Sequence, residues 1–137
     1  MEQKVKRILF ILSITLFICA LTQNCYCTNR SCVESMYVFF GGPIAVMGGG
    51  AALTWLANPF LLISWINFRR DNRLSLYTSL ISTAICLTFL MFKNVIVDEA
   101  GHYEFITTYE AGYWLWVASS LSMLACNSNS FFKTPTI

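Results

Sequence analysis

Apolar residues are unevenly spread along this chain: they collect in four runs, at residues 8–21, 36–68, 74–92 and 111–126. None of the four contains Asp, Glu, Lys, Arg or His, and every charged residue falls between or outside them. A charge held at bilayer depth is costly, so this partition is the pattern of an all-α integral membrane protein. It predicts four spanning helices in a single transmembrane domain over residues 1–137. The spans fall at about 6–22, 37–57, 74–93 and 111–126, with an additional interfacial helix at 59–68.

The second run needs a break. As one straight helix it would reach about 50 Å at 1.5 Å per residue, far beyond a hydrocarbon core of about 30 Å. Two full crossings would need about 40 residues. Proline removes a backbone donor but is comfortable in the first turn of a helix, with Asn before it as a cap. The second span is therefore predicted to break at Asn58-Pro59, in Trp55-Leu56-Ala57-Asn58-Pro59. Asn58, the most polar side chain in any run, reads first as that cap and second as a polar site at a helix discontinuity. Within the crossing, Ala45 with Gly49 and Gly48 with Ala52 are small pairs four apart. Such pairs let helix backbones approach closely in lipid, against another helix of the chain or against a second copy.

Charge then suggests sidedness. Lys4, Lys6, Arg7, Arg69, Arg70, Arg73 and Lys133 fall in alternate gaps, leaving only Arg30 and Lys93 in the other two. Basic residues in short loops stay cytoplasmic, which places both termini inside a bacterial inner (cytoplasmic) membrane. Arg69, Arg70 and Arg73 then act as a topology anchor on anionic lipid headgroups. Residues 1–22 also fit a second reading, a cleavable secretory signal, because a basic start precedes a short apolar core.

Composition agrees with this picture and excludes others. The chain is 56% hydrophobic and only 12% charged, against about a quarter charged in an ordinary soluble domain. The net charge of +2 gives no argument for nucleic-acid binding. No phosphate loop, carboxylate pair or nucleophile–base pair is legible, and no cofactor or metal site is expected.

The outer loops hold the remaining chemistry. Cys25, Cys27 and Cys32 lie close together and are candidates for a disulfide in an oxidising compartment, with the pairing left open. Asn29-Arg30-Ser31 fits a glycosylation sequon. In the second outer loop, alternation on both sides of Asp98-Glu99-Ala100-Gly101 predicts a small β-hairpin, with frayed helix ends as the alternative. His102 beside Asp98, Glu99 and Glu104 reads as part of a solvated acidic loop.

Two resemblances follow from these motifs. Thr54-Trp55-Leu56-Ala57-Asn58-Pro59 with Leu61-Leu62-Ile63-Ser64-Trp65 resembles a pattern of small bacterial multi-span membrane proteins, as do Leu21-Thr22-Gln23-Asn24-Cys25-Tyr26-Cys27 and Gly112-Tyr113-Trp114-Leu115-Trp116. That resemblance brings no activity and no functional residue. Cysteines in an outer loop between spans also resemble the quinone-linked thiol oxidases. Those use a CxxC pair, however, and this chain has CxC followed by x4-C.

The sequence thus leads to a non-enzymatic accessory, scaffold or self-associating subunit. Its expected partners are the lipid bilayer and either further copies of itself or another membrane protein. The alternatives are a small oligomeric channel or transporter for neutral solutes and, more weakly, a membrane thiol oxidoreductase.

Overall fold

The computed structural model describes residues 2–131. Helix α1 (Glu2–Leu21) leads into strands β1 (Asn24–Thr28) and β2 (Cys32–Glu34), then helix α2 (Ser35–Ala45). Two 3-10 segments, Val46–Gly48 and Gly50–Leu56, connect α2 to α3 (Ala57–Asn67). Helix α4 (Asn72–Thr88) and a 3-10 turn (Phe89–Met91) precede strands β3 (Asn94–Ile96) and β4 (Tyr103–Tyr109), and α5 (Ala111–Phe131) closes the described chain.

Local chemistry accounts for several of these boundaries. Extended Asp71 caps α4, its Oδ1 accepting the backbone N–H groups of Arg73 and Leu74 at 3.0 Å each; a carboxylate here satisfies donors that a helix start leaves orphaned. Gly49 and Gly50 sit at φ 73° and 62°. That left-handed conformation is cheap only without a Cβ, and it stops α2 from running on into the next segment.

The strands form one antiparallel sheet in the order β2-β1-β4-β3. Cys27 faces Cys32 across β1 and β2, Tyr26 faces Tyr109 across β1 and β4, and Val95 faces Glu104 across β3 and β4. The Thr28 hydroxyl donates to Glu104 at 2.6 Å, which ties the first hairpin to the second.

The helices pack along each other through small hydroxyl side chains. Ser13 on α1 and Ser119 on α5 each donate to the other's backbone carbonyl, at 2.8 and 2.7 Å, and the Trp65 indole donates to Ser13 Oγ at 3.0 Å. Ser64 on α3 and Ser75 on α4 make the same reciprocal pair, both at 2.8 Å. Asn127 on α5 reaches Ser64, Ser75 and Ser79 together, so one amide joins three helices. An apolar layer lies between this region and the sheet, with Phe89, Val95, Tyr113 and Val117 buried against Cys25 and Ala57. The Tyr113 hydroxyl donates to the Cys86 carbonyl at 2.9 Å.

This architecture corrects the expected fold class. The chain is not an all-α integral membrane protein of four spanning helices: it is mixed α/β, with a four-stranded antiparallel sheet. Among the described residues one helix, Asn72–Met91, is long and apolar enough to cross a membrane, at mean hydropathy 1.7. The multi-pass description is withdrawn with it. The physical reasons are local. Charges at Glu2, Lys4, Lys6 and Arg7 are helical and part of α1, and α5 carries Ser119, Ser120, Ser122 and residues 127–130, all polar. The second run is divided between α2 and α3, each 11 residues long.

The break is also displaced from Asn58-Pro59. It lies at Gly49, between the 3-10 segments, while Asn58 and Pro59 sit inside the first turn of α3. Proline costs nothing there, because first-turn N–H groups have no intrahelical partner. Lys133, counted above among the cytoplasmic basic residues, lies outside the described residues.

Candidate functional site

Polarity across the helical layer is reversed relative to the usual arrangement, in which buried positions are filled mainly by apolar side chains. Ser13, Ser64, Ser75, Ser79, Ser82, Ser119 and Ser120 are fully buried. Ile8, Ile11, Phe40, Ile66, Tyr77 and Leu80 are exposed, and Ile44 and Met47 expose 77% and 88% of their surface. On α4 the reversal follows the helical period. Ser75, Ser79, Ser82 and Cys86 turn inward at three- and four-residue steps, while Leu74, Tyr77, Leu80, Ile81 and Leu87 turn outward. Serines at that spacing let backbones approach and bond across the seam. This stripe is a packing feature that sequence reading missed. Its signal was present in the three- and four-residue spacing of hydroxyls, which a search for charge passes over.

The two ends of the helical layer differ in charge. At one end Lys6, Arg7 and Arg69 line a crevice with Gln3, Phe68 and Asn72, and the Phe10 and Phe68 rings stack beneath it at 4.6 Å. Arg70 and Arg73 are exposed close by. Residues from two distant sequence gaps therefore meet in one basic surface. At the other end lies the sheet, with Glu34, Asp98, Glu99, Glu104 and Glu110.

The sheet end holds the disulfide, Cys27–Cys32, which closes the β1–β2 hairpin. Cys25 stays a free thiol and is buried under the sheet. Burial pushes it up to about 12, with the neighbouring Ser35 hydroxyl acting in the opposite direction. Such a thiol is neutral at physiological pH and a poor nucleophile. His102 pairs with Asp98 inside the β3–β4 turn. No group of three or more His, Cys, Asp or Glu that could hold a metal ion occurs among the described residues.

Beneath the sheet, a cavity of about 270 Å³ opens between α2, the second 3-10 segment, α1 and α5. Its wall is apolar and aromatic, with Phe17, Phe39, Trp55 and Trp116, and the small residues Gly41 and Ala45 form one side. No charged residue lines it. Its polar groups are few. Asn58 Oδ1 accepts the Trp116 indole N–H at 2.9 Å. The Ser35 hydroxyl, on a residue only 8% exposed, has the Cys25 thiol beside it and makes no hydrogen bond to a nitrogen or oxygen among the described residues. Asn58 is thus not a helix cap but a cavity residue, next to Pro59 in the first turn of α3.

The four small residues Ala45, Gly48, Gly49 and Ala52 do not share a helix face, because α2 ends at Ala45 and the backbone turns at Gly49. Two glycines elsewhere fill the close-packing role. A side chain at Gly42 would fall on the Trp55 indole, and one at Gly112 would meet the Ser35 hydroxyl and lie 2.6 Å from the Asn24 carbonyl oxygen. No protein-family model, curated protein or solved structure matches this chain.

Proposed function

We propose that this protein works by association rather than by chemistry, as a non-enzymatic accessory or self-associating subunit held at a membrane. Its exposed aliphatic and aromatic side chains rest against the lipid surface. The observation that carries this reading is the reversed polarity: serines and Asn127 are hydrogen-bonded inside while large aliphatic and aromatic side chains face outward. In water, each outward-facing Leu or Ile would forgo about 1.5–3 kcal/mol of burial. In an apolar phase that loss vanishes, and the interior hydroxyl pairs satisfy groups that lipid could not. The basic crevice at one end suits anionic headgroups. The disulfide at the other suits an oxidising compartment.

The other two readings draw less support. The interior hydroxyls bond to one another across the seams, which lends little support to a solute path lined by them. The buried, neutral Cys25 is a poor partner for a redox disulfide. The test is extraction. Membranes of cells making the protein are washed with alkaline carbonate, and the purified chain is then exchanged into buffer without surfactant. The protein should stay with the membrane and aggregate on detergent removal. Release by the wash, or a monodisperse species in plain buffer, would refute the proposal.

A further inference from the structure

The cavity under the sheet has the composition of a ligand site, and nothing above gives it an occupant. We infer that it binds an uncharged single-chain amphiphile, a lipid with a hydroxyl or ester head and an aliphatic tail. The head is held between Ser35 and Asn58 and the tail lies along the wall of small residues at Gly41 and Ala45.

Three observations select this chemistry. The first is the buried Ser35 hydroxyl, which has the Cys25 thiol beside it and no nitrogen or oxygen partner among the described residues. A buried hydroxyl without a partner costs about 1–3 kcal/mol, and native structures keep few of them. Here it lies on the lining of the same cavity as Asn58, whose Oδ1 is taken by the Trp116 indole. Each offers a hydrogen-bonding group to a hydroxyl or ester oxygen within the cavity. The second is the absence of charge in the lining, because a carboxylate or ammonium placed here would lose its hydration with no counter-charge. The third is shape. An apolar wall with a few convergent polar groups is the usual form of a small-molecule site, and Gly41 and Ala45 leave open the room that larger side chains would fill.

The inference does not depend on the lipid-facing exterior, and its test is separable from that one. Trp55 and Trp116 line the cavity, so their fluorescence reports what enters it. The intact protein, in detergent micelles or in buffer, is titrated with a fatty alcohol carrying bromine on its tail, since bromine quenches indole only at contact. The alcohol should quench saturably, and the matching brominated fatty acid, ionised at neutral pH, should bind at least tenfold more weakly. Gly41→Phe has room at its Cβ, with nothing within 4 Å, and should fold while abolishing the saturable phase. Ser35→Ala should weaken the alcohol about five- to tenfold, the loss of one hydrogen bond worth about 1 kcal/mol, without lowering the melting temperature. Purely linear quenching of the folded wild type, equal quenching in Gly41→Phe, or equal affinity for acid and alcohol would each overturn the assignment. An unchanged affinity in Ser35→Ala would remove Ser35 from it and overturn the stated head-group contact.

Discussion

Single atoms decide how the sheet and helices fit together. Gly42 lies against the flat of the Trp55 indole, whose N–H donates to the Phe39 carbonyl at 2.9 Å, so the ring cannot retreat without losing that bond. Gly42→Ala should therefore cost about 1–3 kcal/mol, the usual penalty for overpacking. A fall in thermal stability checks it, with Gly41→Ala nearly silent as the comparison. At the hairpin turn, Asp98 accepts the backbone N–H of His102 at 3.0 Å and pairs with its ring. The backbone hydrogen bond first, and the side-chain bond second, hold the Asp98 carboxyl below its ordinary value. A depressed carboxylate contributes order above its unfolded pKa of about 3.9 and loses it as pH falls through the folded value. The β3–β4 turn should thus loosen only below about pH 4. Amide exchange at residues 97–102 would show this, and Asp98→Asn should remove the pH dependence.

At the scale of elements, the polar seam joins α3, α4 and α5 through Asn127. Asn127→Ala would remove the bonds to Ser64, Ser75 and Ser79 at once, leaving Ser75 its Ser64 partner and Ser79 the Leu76 carbonyl, and should cost about 2 kcal/mol. Asn127→Leu should be no better, because it fills the same space without bonding Ser64, Ser75 or Ser79; equal stability of wild type and both variants would contradict the seam's role. The runs free of charge were informative because helices here carry charge only at their ends. The sheet was half hidden. The β3–β4 hairpin announces itself by alternation around a turn-forming Asp and Gly. The β1 strand does not: it is five residues long, and its partner β4 lies some 80 residues away, a pairing no local pattern encodes. Pro59 misled for a related reason. Proline marks a first turn well, yet the conformational break was made by Gly49, which a left-handed φ requires and proline does not.

Over the whole molecule, charge and polarity are arranged along one axis, basic at one end and acidic with a disulfide at the other. Arg69, Arg70 and Arg73 were visible in the sequence as a cluster, but their meeting with Lys6 and Arg7 depends on α1 lying beside the α3–α4 connection. Replacing all three arginines with Gln should reduce partition into anionic vesicles while leaving neutral vesicles unaffected. At about 1 kcal/mol per charge near an anionic surface, the change should approach a hundredfold at low salt and shrink as salt rises. Co-sedimentation with vesicles of the two compositions measures it. The cavity and the hydroxyl seam were the least legible features, since both arise from which faces meet.

The antiparallel pairing of α1 with α5, which brings the Cys126 thiol to the Lys6 carbonyl at 3.3 Å, has a practical corollary. Handles fused to the outer ends of these two helices would emerge side by side. A sensor chip or bead gripping either one would therefore display the sheet, with its one disulfide-closed hairpin, outward, free for antibodies or soluble probes to reach.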